Sequence, residues 1–188
     1  MTLAEPITRR WTRDEYYRLS DGGYFQNQRV QLINGEILQM PPQGYPHGQA
    51  YLNSLHILYS VFGADFIRPQ MPLNVPGESD PEPDLAVTEY PRQHYKDHPT
   101  KAVLVVEISD TSIYLDRRKA GLYAAAGVPD YWIVNLNTRR IEVFRHPVPD
   151  SSQDFGHRYS NTFEFGEAEV ISPLLKPETK IQVKDLLD

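Results

Sequence analysis

The chain has 188 residues, 40% of them hydrophobic, a formal net charge of −6 and no cysteine. That length and apolar content suffice to bury a core, and one domain is the default. The lack of cysteine excludes disulfides, thiolate metal sites and a cysteine nucleophile, and fits a reducing cytoplasm. The acidic balance argues against indiscriminate binding to nucleic acid but leaves room for a local basic groove, because phosphate contacts depend on where charge sits. No run is as long as a membrane span and the N-terminus has no apolar signal core, so a cytoplasmic protein with no membrane association is expected.

Residues 1–10 read as a flexible N-terminal arm, and residues 11–188 as the domain. Thr12 and Glu15 have capping-box spacing, so a short helix is predicted from there to about Leu19, with Trp11 as a staple and Asp21-Gly22-Gly23 ending it. Arg29–Ile33, Asn34-Gly35 and Glu36–Met40 read as a hairpin, since Asn-Gly is the strongest short turn signal. Residues 41–46 read as a loop. Tyr51, Leu52, Leu55, Leu58, Val61 and Phe62 recur at helical spacing, which predicts an amphipathic helix from His47 to Phe62, stopped by Gly63. Residues 65–68 and 71–75 are short strand candidates, and residues 90–100 a loop.

Two apolar runs follow, 83–87 and 101–109, and each carries one carboxylate. Asp84 opens the first and Glu107 closes the second. Both runs read as buried strands, and carboxylates are costly to bury unless paired, hydrogen-bonded or bound to a metal. By alternation Val103, Val105 and Glu107 share one face, and Leu104, Val106 and Ile108 the other. If the strands are neighbours, Asp84 and Glu107 converge at one sheet end. With a backbone carbonyl nearby they make a hard-oxygen site suited to Mg²⁺ or Mn²⁺.

Beyond Glu107, a helix is predicted over about Tyr114–Ala126, ended by Gly127 and Pro129. On it Ser112, Asp116, Lys119 and Tyr123 share a stripe, beside an apolar stripe of Leu115, Leu122 and Ala126. Residues 130–135 and 140–145 read as strands around an Asn137-Thr138 turn. Residues 147–155 read as a loop, 158–163, 169–171 and 179–182 as short strands, and 183–187 as a closing helical turn. The order predicts an α/β (α+β) layer fold, a mixed sheet flanked by helices.

Asp84, Glu107-Ile108-Ser109, the helix segment from Asp116 to Lys119, and Tyr123 through Ala-Gly-Val-Pro-Asp130-Tyr131-Trp132 resemble the Uma2 family. This family of restriction-endonuclease-like proteins lies within the PD-(D/E)XK nuclease superfamily. The 29–37 hairpin with His47 opening the next helix resembles the family's N-terminal part, so the likeness runs from about residue 11 to the end.

The resemblance implies a restriction-endonuclease-like fold and metal-dependent phosphodiester hydrolysis, with nucleic acid, DNA first, as partner. It implies a homodimer, which one active site per chain favours for two-strand cleavage. Asp84, Glu107 and Lys119 would be the catalytic set, with Asp84, Glu107 and the carbonyl of Ile108 holding Mg²⁺ or Mn²⁺. Ser109 stands where the superfamily's lysine is expected, and Lys119 on the following helix takes that place. Asp116, Tyr123, His47 and Gln31 would be accessory. Family members usually carry Glu where this chain has Gln31, and a neutral amide is the poorer ligand. A catalytically weakened fold that binds nucleic acid or a protein without cutting is therefore the alternative.

Each of these residues also has a plainer reading. Lys119 fits a solvated helix face equally well, and Asp116 fits a surface partner of an arginine better than a ligand. Tyr123 fits packing, Tyr131 and Trp132 fit core or subunit contact, and His47 fits a helix residue without chemistry. His94 and His98 lack a third ligand for zinc. Arg117-Arg118 and Arg139-Arg140 fit solvated surface as well as phosphate contact.

Overall fold

The computed structural model describes residues 7–188. Of the expected arm, residues 1–6 lie outside the described residues; residues 7–10 are irregular and exposed, and Arg10 reaches the carbonyl of Asn34 at 2.8 Å and Glu36 at 2.7 Å.

Local signals decide the first elements. Helix α1, Arg13–Asp21, starts where the Thr12 hydroxyl accepts from the Glu15 amide and the Glu15 carboxylate accepts from the Thr12 amide, and each bond satisfies an otherwise orphaned donor. Strands β1, Val30–Ile33, and β2, Glu36–Gln39, pair about Asn34-Gly35. Both turn residues have positive φ, 51° and 73°, as the tightest hairpin turn requires. A Cβ on Gly35 would lie 2.6 Å from Arg10 Cβ, so the position also needs glycine for space.

The remaining elements are α2 (Tyr45–Phe62), β3 (Ile67–Pro69), β4 (Leu85–Thr88), β5 (Ala102–Ser109), α3 (Ile113–Ala125), β6 (Asp130–Asn135), β7 (Arg140–Pro149), β8 (His157–Gly166), β9 (Val170–Ile171), β10 (Ile181–Gln182) and α4 (Lys184–Leu187). Among the described residues, six strands form one mixed sheet in the order β3-β4-β5-β6-β7-β8. Strands β5 and β6 are its parallel pair, and α3 is the crossover between them, as a parallel connection requires. The other neighbours are antiparallel, with Leu85 opposite Val106 in the β4–β5 pair.

The alternation read from β5 holds at its buried centre. Leu104, Val106 and Ile108 join Leu58, Trp132 and Leu186 in the core under α2 and α4. Val105 joins Leu122, Tyr123, Tyr131 and Ile133 under α3. Each of Leu104, Val106 and Ile108 is about 1% exposed, and burying such a side chain contributes roughly 1.5–3 kcal/mol. The expected layer fold is the one observed.

Three of the departures from expectation have a clear physical cause. Helix α2 begins at Tyr45, two residues early, because Pro46 falls in its first turn, where a missing amide costs nothing. Residues 71–75 form no strand; their backbone bonds go instead to the carbonyls of Pro81 and Pro99. Strand β7 runs through Pro147 and Pro149, expected as loop. Strand β6 starts at Asp130 opposite Arg145, so beyond that point β7 has only β8 beside it, and proline is tolerated on a free edge.

Candidate active site

Asp84 immediately precedes β4, and Glu107 is the third residue from the end of β5. The antiparallel register brings them together at one sheet end. The Asp84 amide donates to Glu107 Oε2 at 3.3 Å, and the Ile108 amide donates to Asp84 Oδ2 at 2.9 Å. Because the N–H and C=O of one strand residue point to the same side, the Ile108 carbonyl faces the β4 side, where β4 has barely begun.

Helix α3 supplies the cation. Its stripe of Ser112, Asp116, Lys119 and Tyr123 lies over the β5 end. Lys119 Nζ donates to Glu107 Oε1 at 3.0 Å and sits 3.6 Å from Asp116 Oδ1. The Tyr123 hydroxyl donates to the same Glu107 oxygen at 2.7 Å, and the Ser112 hydroxyl donates to Asp116 Oδ2 at 2.5 Å. Lys119 is 1% exposed, Asp116 2% and Glu107 3%. That sets aside both surface readings: Lys119 is no solvated helix residue, and Asp116 pairs with no surface arginine. Tyr131 and Trp132 are core residues, and Tyr131 donates to the Asp116 carbonyl at 2.8 Å.

His47, in the first turn of α2, is also buried and places Nε2 3.3 Å from Asp84 Oδ2, while its Nδ1 has no partner. His47 therefore contacts the site through Asp84. Gln31 is 2% exposed; its Nε2 donates to the Glu82 carbonyl at 3.2 Å and its Oε1 has no partner. Gln43 and Gln70 approach Asp84 Oδ1, each at 3.4 Å. Sequence spacing gave no sign of either, because both contacts depend on how distant segments pack.

These groups titrate as a unit. Burial pushes the Glu107 carboxyl up to about 7; Lys119 opposes the rise, while Asp116 and Asp84 add to it. Burial likewise raises Asp116. Burial would also raise Asp84, but His47 and the Ile108 amide outweigh it and hold the carboxyl below its ordinary value. Burial alone would lower Lys119 and His47, yet the carboxylates keep both raised. Three buried carboxylates around one ammonium carry surplus negative charge, and their mutual repulsion adds to the rise at Glu107.

A cavity of about 180 Å³ opens over this cluster. Arg29 and Gln31 form one wall, the loop 41–44 another, and Asp110–Ser112 a third. Glu82 also lines it, and this residue was missed in the sequence. The signal was present: Glu82 stands two residues before Asp84, between Pro81 and Pro83, and extended residues two apart share a face. Among the described residues no three His, Asp or Glu side chains stand as a ready-made metal cage. The donor set nonetheless suits a hard cation in kind: two carboxylates with surplus charge, and the orphaned amide oxygen of Gln31.

The basic pairs face other partners. Arg117 forks onto Glu142, Arg118 reaches Glu36 and Asp154, and Arg139 pairs with Glu167 and Asp188. His94 stacks on Tyr90, and His98 lies 3.2 Å from Arg68.

No helix among the described residues is long and apolar enough to cross a membrane. No curated protein matches the chain. Among solved structures, the chain is similar to a crystal structure described as a "putative nuclease belonging to DUF820" from Anabaena variabilis. The two are 18% identical, the match covers 97% of this chain and 98% of that one, and the TM-score is 0.67. At that identity the likeness establishes a shared fold. The family model described as "Uma2: Putative restriction endonuclease" matches residues 13–183. The chain belongs to the Uma2 family, and its function is nuclease-like.

Proposed function

We propose that the protein is a metal-dependent endonuclease that hydrolyses phosphodiester bonds of DNA, acting as a homodimer when both strands are cut. The observation that supports this best is the meeting of Asp84, Glu107 and Lys119 beside one cavity, from three elements separated in sequence. Asp84, Glu107 and the Ile108 carbonyl are the residues that would hold Mg²⁺ or Mn²⁺. When bound, such an ion polarises a phosphate oxygen and lowers the pKa of a coordinated water.

The chain's own residues have distinct tasks in this reading. Lys119 carries a positive charge on a side chain that is itself buried and lines the cavity, and it is placed to stabilise charge that develops on the phosphate. Tyr123 and Asp116 fix that ammonium and the Glu107 carboxylate, so neither needs to reorganise during reaction. His47 and the Ile108 amide orient Asp84 from two sides.

A second reading, a weakened nuclease fold that binds without cutting, is favoured by Gln31, which brings no charge to the cavity wall. The deciding experiment is cleavage of supercoiled and single-stranded DNA with Mg²⁺ or Mn²⁺, beside Asp84→Ala and Glu107→Ala. Nicking that needs the metal and disappears in both variants supports the enzyme. DNA affinity without any nicking supports the weakened form.

A further inference from the structure

Most acidic oxygens in the cavity are already committed. Asp84 Oδ2 is held by the Ile108 amide and His47. Glu107 Oε1 is held by Lys119 and Tyr123, and its Oε2 by the Asp84 amide. Asp116 is held by Ser112 and Lys119. Glu82 differs: among the described residues its carboxylate has no hydrogen-bond or ion-pair partner, although it is only partly exposed and lines the same cavity.

The backbone fixes where Glu82 can act. Pro81 and Pro83 hold its segment extended. The segment is fastened to the hairpin, since the Asp80 amide donates to the Leu32 carbonyl at 2.7 Å and Gln31 Nε2 donates to the Glu82 carbonyl at 3.2 Å. Glu82 therefore stands beside Gln31. The Gln31 amide oxygen is buried and unpartnered, and Gln31 is one of the residues that line the cavity. Its own nitrogen is engaged by a carbonyl, which assigns the free atom as oxygen. A buried oxygen without a donor is costly, and a free carboxylate beside it completes a pair of hard ligands.

We propose that Glu82 is a further cation ligand, assisted by the Gln31 amide oxygen, so that the cation is shared among Glu82, Asp84 and Glu107. The inference rests on the metal-dependent reading given above. It assigns to Glu82 the negative charge that Gln31 does not bring. With no partner holding the Glu82 side chain, it is free to turn onto the ion.

The test is Mn²⁺ binding to the full chain by titration calorimetry, paired with thermal unfolding with and without Mn²⁺. The proteins are wild type, Glu82→Gln, Asp84→Asn, Asp110→Asn as a control for general acidity of the rim, and the exchange variant Gln31→Glu/Glu82→Gln. Glu82→Gln should unfold at or above the wild-type temperature without metal, since it loses no contact. It should bind Mn²⁺ about tenfold or more weakly and gain less Tm from the ion. Asp110→Asn should change affinity by less than about threefold, and the exchange variant should recover most of the loss. Wild-type affinity in Glu82→Gln, with binding lost in Asp84→Asn, would overturn the assignment and leave the metal-dependent reading standing. Equal weakening in Glu82→Gln and Asp110→Asn would overturn it in favour of diffuse charge. No Mn²⁺ binding by wild type would overturn both.

Discussion

Lys119 Nζ lies 3.0 Å from Glu107 Oε1, and both side chains are all but sealed from solvent. The pair joins the crossover helix to the strand it follows. Lys119→Ala leaves two buried carboxylates without their cation and should cost about 3–5 kcal/mol. Lys119→Met combined with Glu107→Gln should cost less than the sum of the two single changes. Urea unfolding of the four proteins measures this, and strict additivity would show that the pair is not coupled.

Tyr123→Phe removes one hydroxyl and keeps the ring, which packs 4.9 Å from Tyr131. The lost bond to Glu107 should cost about 1.5–3 kcal/mol of stability. If the reading of the site is right, DNA nicking should slow about tenfold or more, because Glu107 is held less firmly. Circular dichroism confirms the fold, and nicking rates at saturating Mg²⁺ give the second figure.

Asp130 tests the scaffold without touching the cavity. Its carboxylate accepts from Trp132 Nε1, Arg145 Nε and the Leu174 amide, each at 2.8 Å, and it is fully buried. Asp130→Ala should cost about 3–5 kcal/mol, since it strands an arginine, the buried Trp132 donor and the part-buried Leu174 amide. Metal affinity of the folded fraction should stay at the wild-type value. A loss of affinity without a loss of Tm would contradict this division of labour.

Glu142 gives a pH signature away from the site. Burial raises its pKa, but the Arg117 fork and Asn135 outweigh it and hold the carboxyl below its ordinary value. A depressed folded pKa adds stability above the unfolded value, about 4.3, and that stability is lost as pH falls through the folded pKa. Glu142→Gln should therefore lower Tm at neutral pH and converge with wild type in acid. Because Arg117 is half exposed, the difference should be about 1 kcal/mol or less. Tm measured from pH 7 to pH 2 follows it.

Much of the fold was legible because its signals are local. The Thr12–Glu15 cap, the Asn34-Gly35 turn and the spacing along α2 and α3 each act within a few residues. The stripe of Asp116, Lys119 and Tyr123 was legible for the same reason, because helical geometry alone sets it. Strand alternation put Glu107 on one face with Val105, and the structure shows that α3 covers that face. What was not legible depends on distant packing: His47, Gln43 and Gln70 on Asp84, and the docking of residues 71–75 against loop carbonyls. The segment that marked the family most clearly, around Asp130-Tyr131-Trp132, is buttressing. Asp130 ties down three donors, and Tyr131 braces the backbone of Asp116.

The hairpin β1–β2 pairs with no strand of the main sheet. It is fastened by the Leu32–Asp80 bridge, by the Gly35 amide on the Glu78 carbonyl and by the Asn34 amide on the Ser79 hydroxyl. A two-stranded unit is marginal by itself, so the wall that carries Arg29 and Gln31 depends on those fastenings and on the burial of Leu32 and Ile33. Access to the carboxylates is then separable from the strength of the sheet that bears them. Amides of residues 30–39 should exchange with deuterium at a lower free energy than those of β5 and β6. A molecule in that partly opened state would keep its sheet and lose its chamber.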